Sequence, residues 1–75
     1  MTVKTLAVSY LYHKAISDED KAKLSLELLT NKAVGIGDHS TEDFYKNLDD
    51  ALDLLVDARD RLETLREAYP EWEGS

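Results

Sequence analysis

Between Ser40 and Tyr69 apolar side chains return at Phe44, Leu48, Ala51, Leu55, Ala58, Leu62, Leu65 and Tyr69, in steps that alternate between four and three residues. This spacing keeps one stripe of a long α-helix against a partner helix, and it assigns residues 41–69 to a single helix. Ala51 and Ala58 alternate along the stripe with larger side chains, and small residues there let a neighbouring helix come close. Ser40 is placed as the capping residue, with Thr41, Glu42 and Asp43 following it, acid where the helix dipole favours it. His39 and Phe44 flank that cap at the spacing of a hydrophobic staple. Pro70 cannot continue the helix, so residues 70–75 are expected to form a frayed tail.

The first half reads less cleanly. Val3, Leu6, Ala7, Tyr10, Leu11 and Lys14 recur at helical spacing, while Leu6, Val8, Tyr10 and Tyr12 alternate as in a strand. A short helix over 3–14 is the preferred reading, because a lone strand in so small a chain finds no partner except a copy of itself. Ser17 followed by Asp18, Glu19 and Asp20 has the look of a new helix start, and Ala22, Leu26, Leu29 and Ala33 then mark one face. The run Ala22, Leu24, Leu26, Leu28 also fits a strand. Cap, length and the strong helix formers favour a helix over 18–30.

The expected fold is therefore all-α: an antiparallel helical hairpin with a short N-terminal helical segment, the broken first arm folded along the unbroken second. With 75 residues the chain is one domain, and a domain of this size buries only about 60% of the surface its unfolded chain exposes. It has no cysteine, so no disulfide supplements the core. Leu52, Leu54 and Val56 lie off the main stripe, and this apolar surplus predicts an oligomer interface in a homodimer that forms a helical bundle. Neither a secretory signal nor a membrane-spanning run is recognisable, which predicts a soluble, cytoplasmic protein with no membrane partner.

The net charge of −7 is unevenly distributed. Up to residue 40 five lysines balance five acids, so the excess belongs to the long helix. Asp50, Asp53, Asp57 and Asp60 lie in a band away from the stripe, which is either a solvated face or a binding surface for a basic partner. Direct nucleic-acid binding by that face is disfavoured.

The segment 31–40 is expected to be a turn in which Gly35 and Gly37 let the chain reverse while Val34 and Ile36 plug the helix ends. A phosphate cradle is a poor match, since no lysine follows the glycines and Asp38, Glu42 and Asp43 would repel an anion. Asp38, His39 and Glu42 supply ligand types for a divalent cation, but one histidine with carboxylates is a weak signature, so His39 reads better as a capping residue and no cofactor is expected. Ser40 beside His39 and Asp38 has the residue types of a nucleophilic triad without its geometry, and the sequence is not that of an enzyme.

The loop Val34-Gly35-Ile36-Gly37-Asp38-His39-Ser40-Thr41, followed by a helix carrying Asp57-Ala58-Arg59-Asp60-Arg61-Leu62, resembles small uncharacterised proteins encoded by large tailed bacteriophages, including those infecting cyanobacteria. The similarity spans about residues 33–65 and brings no residue roles with it. It implies a phage accessory protein acting in the cytoplasm of the bacterial host. Together with the acidic band it suggests a non-enzymatic protein-interaction module that meets a host or viral protein with a basic surface. The alternatives are a small metal- or ligand-binding protein and a structural component of the virion.

Overall fold

The computed structural model describes residues 2–31 and 41–72. They form two α-helices, α1 (Val3–Asn31) and α2 (Thr41–Ala68), packed antiparallel in a hairpin measuring 52 × 17 × 16 Å. The all-α hairpin expected from the sequence is present, and no strand occurs among the described residues.

The expected division of the first arm into helices over 3–14 and 18–30 is replaced by one unbroken helix. Its cap is Thr2, whose Oγ1 accepts a hydrogen bond from the Thr5 N–H at 3.1 Å. Ser17 is exposed in mid-helix. The inward row of α1 runs through Val8, Tyr12, Ala15, Glu19, Ala22, Leu26 and Leu29, steps of four and three that match those of α2. Glu19 takes a place where an apolar residue would have made the row obvious. Both it and Asp18 are mostly covered, and arginines of α2 supply the compensating charge, Arg59 to Glu19 at 3.1 Å and Arg61 to Asp18 at 2.9 Å.

Against this row α2 buries Ala51, Leu55, Ala58 and Leu62, with Phe44, Leu48 and Leu65 half-buried alongside and Tyr69 half-buried just past its end. Ala15, Ala22 and Ala58 are completely enclosed, so the two backbones approach most closely where the side chains are smallest. Burying Leu55 or Leu62 contributes about 1.5–3 kcal/mol each. The core is one layer thick, and half of the eight buried apolar side chains among the described residues are alanines.

α2 ends at Ala68, two residues before Pro70, and the chain then does something the sequence reading missed. Residues 70–72 are not a frayed tail. They turn back so that the Trp72 indole stacks on the Tyr12 ring, with centroids 4.1 Å apart and planes 6° from parallel. The Tyr12 hydroxyl donates to the Tyr69 carbonyl at 3.1 Å, and the Trp72 backbone N–H donates to the same oxygen at 3.3 Å. His13 meets the indole edge-on. Tyr69 and Trp72 thus cap the cluster of Val8, Tyr12, Ala15 and Leu62 at the end of the hairpin where the two helix termini meet. An aromatic ring has enough surface to hold a short segment that lacks other hydrogen bonds. Residues 73–75, the rest of the expected tail, lie outside the described residues.

Candidate interaction face

Heptad spacing distributes Asp50, Asp53, Asp57 and Asp60 of α2 over two adjacent rows. Asp50 and Asp57 lie nearer the helix-helix groove, and Asp53 and Asp60 lie one row further round, Asp60 still at a groove edge; all four are exposed. The inner row is engaged. Asp50 receives Lys46 at 2.7 Å, and this hydrogen bond raises the Lys46 pKa above its ordinary value. Asp57 lies 3.2 Å from Arg61 Nε, an ion-pair contact too oblique to count as a hydrogen bond, since that nitrogen is covered and has no hydrogen-bond partner. Asp53 and Asp60 have no ion pair among the described residues, and a heptad separates them by about 10 Å along the axis.

The three residues assigned to an oligomer interface do not share a face. Leu52 and Val56 are each half exposed, at 51%, on the side of α2 that continues to Arg59. Leu54 turns to the other side, where it lines a groove with Ser25, Leu28, Leu29, Asn47 and Ala51. A second groove follows on the same side towards the chain ends, lined by Leu11, Lys14, Asp60, Arg61, Thr64 and Leu65.

Between the two grooves runs a charged network that the sequence reading did not identify. Arg61 binds Asp18 across the hairpin, Lys14 approaches Asp18 at 3.5 Å from one turn earlier in α1, and Asp57 approaches Arg61 from its own helix. The Arg61 guanidinium holds the Asp18 carboxyl below the usual range; partial burial opposes this, and Lys14 reinforces it. The same hydrogen bond raises Arg61 in turn. On the opposite side Glu19 takes Arg59 and, at 3.9 Å, Lys23. A sequence signal for this network existed: Arg59 and Arg61, two of the four cations of α2, follow the stripe position Ala58 closely and flank the apolar stripe on either side.

The turn residues Gly35, Ile36, Gly37 and His39, the metal-ligand candidate Asp38 and the capping residue Ser40 lie outside the described residues. Glu42 is exposed in the first turn of α2. Among the described residues no three His, Asp or Glu side chains converge as a metal site would require. Ser9 Oγ lies 3.3 Å from His13 Nδ1 on the exposed surface of α1, and the other neighbour of that imidazole is the Trp72 ring rather than a carboxylate. No described helix is long and apolar enough to cross a membrane.

The fold and its surface define a small acidic helical hairpin with cross-helix ion pairs. Comparison with known proteins finds no matching family model, no matching characterised sequence and no matching solved structure.

Proposed function

We propose that this chain is a non-enzymatic protein-interaction module, a homodimer that offers the outward acid of α2 to a protein with a basic surface. The observation that carries the reading is the state of Asp53 and Asp60, which are exposed and, among the described residues, free of ion pairs while Asp50 and Asp57 beside them are engaged. Unpaired carboxylates repeated along a rigid helix attract a cationic surface and discriminate against an anionic one. If the resemblance to phage proteins is followed, the partner is a host or viral protein in the bacterial cytoplasm, and one that normally receives nucleic acid would have a surface of the right sign. The test is co-purification from lysate of a phage-susceptible bacterium, with the captured protein identified and its charge distribution examined. Asp53→Lys with Asp60→Lys should abolish capture while helix content is kept, and added salt should weaken capture by the unaltered chain. Capture that survives the double reversal overturns the acidic-face reading.

A further inference from the structure

α2 carries a second stripe, about 100° round the helix from the row that packs on α1. Glu42, Tyr45, Asp49, Leu52, Val56, Arg59, Glu63 and Arg66 follow one another in alternating steps of three and four, the spacing that sets one helix along another. All eight are exposed, and within the hairpin this stripe meets no helix. Leu52 and Val56, each 51% exposed, stand at its centre. Towards the start of α2 the stripe carries Glu42, Tyr45 and Asp49, and towards its end Arg59, Glu63 and Arg66.

From this order we infer that the stripe is the self-association surface, and that its occupant is α2 of a second copy, laid antiparallel about a two-fold axis that crosses the helix at the level of Leu54. The inference rests on the dimer of the proposed function and assigns its surface. Glu42 then lies level with Arg66 of the second copy, Asp49 with Arg59, Tyr45 with Glu63 and Leu52 with Val56, and the axis makes each match twice. Acid meets base in two of these layers, a phenol meets a carboxylate to which it can donate in the third, and aliphatic side chains meet at the centre. Glu42, Asp49, Glu63 and Arg66 have no ion pair among the described residues, so none gives up a partner. Arg59 holds Glu19 through Nε, and its guanidinium has further N–H donors for a second carboxylate.

Other arrangements fail the same comparison. A parallel pair sets each of Glu42, Asp49, Arg59 and Arg66 against its own copy, like charge on like. Slipping the antiparallel pair by one heptad sets Asp49 against Leu52 in one direction and Leu52 against Glu63 in the other. A uniformly basic or acidic surface would match one end of the stripe and oppose the other, which is why the occupant is a second copy. Asp53 and Asp60 stand about 80° from the line of contact and stay at its rim. There the acid rows of the two copies lie side by side; their repulsion is exposed to solvent and screened by salt, and together they widen the surface offered to a basic partner.

Sedimentation equilibrium tests the assignment. The unaltered chain should be a dimer at micromolar concentration. Val56→Glu should weaken it by at least about tenfold, because a carboxylate then faces Leu52 in both central layers, whereas Leu28→Glu on α1 should leave it unchanged. Circular dichroism checks that each variant keeps its helices. The chain has no cysteine, so introduced thiols report orientation. Glu42→Cys and Arg66→Cys chains, mixed and oxidised, should cross-link to each other and neither to itself, since the axis leaves the two copies of position 42, or of position 66, about 36 Å apart. A monomeric unaltered chain, a dimer indifferent to Val56→Glu, one broken by Leu28→Glu instead, or cross-linking of Arg66→Cys to itself overturns the assignment. A dimer that ignores Val56→Glu removes this surface and leaves the dimer of the proposed function standing, while a monomeric chain removes both. The acidic-face reading is judged separately, by capture with Asp53→Lys and Asp60→Lys combined, a chain that should remain dimeric.

Discussion

Arg61 reaches across the hairpin to Asp18 at 2.9 Å, and this pair fixes how the two helices are aligned along their length. With Glu19 and Arg59 it places charge inside a zipper that is otherwise apolar. A slip of one turn would leave two partly covered carboxylates and two arginines unmatched, so the pairs specify register more than they add stability.

Ser17 provides the sharpest test of the continuous first helix. If it were a helix cap, Ser17→Ala would cost about 1 kcal/mol. In an exposed mid-helix site the sign reverses, and the substitution should stabilise the fold by about 0.3–0.5 kcal/mol, since alanine is the better helix former. Urea denaturation resolves the two outcomes.

The Asp18 carboxyl has its pKa lowered in the folded state, first by the Arg61 hydrogen bond. The folded state therefore binds this proton less readily than the unfolded state does. The stabilisation is complete above the ordinary carboxylate range and is lost as pH falls through the depressed folded value, below about pH 4. Asp18→Asn should reduce stability at neutral pH and flatten the acid limb of the stability curve. Thermal melts between pH 2 and pH 7 check this, and parallel curves for the two proteins would contradict it.

Ala58 is completely enclosed between the helices, and a larger side chain there has nowhere to go. Ala58→Trp should destabilise by at least about 2 kcal/mol through overpacking, which for a domain of this size lowers the melting temperature by about 8 °C or more. An unchanged melting temperature would mean that the stripe does not face a close neighbour.

The second helix was legible in the sequence because its whole interface row is apolar and Pro70 ends it. The first helix was not, and the reason is local. Glu19 occupies an interface position, and the string Ser17-Asp18-Glu19-Asp20 imitates the acid-rich first turn of a helix when it is read without its partner strand of sequence forty residues away. Arg59 and Arg61 reach it from the other helix, and Lys14 and Lys23 from its own, which is why acid is tolerated there. Leu52, Leu54 and Val56 were recognised as surplus, but assigning them a side required the register, which puts Leu54 in a groove and leaves the other two facing outward. The return of Trp72 had no signal in periodicity, since a post-proline aromatic belongs to no helical repeat.

Trp72 is the chain's single tryptophan, and it rests on Tyr12, a residue of the other arm. The molecule therefore carries its own optical reporter of hairpin closure. Opening the arms would move the indole from a ring stack into water and shift its emission to longer wavelength, with no label attached. Helix content, followed by circular dichroism, reports instead on each arm by itself. Recording both signals through one denaturation would show whether the two helices melt as they separate or persist for a time as independent rods.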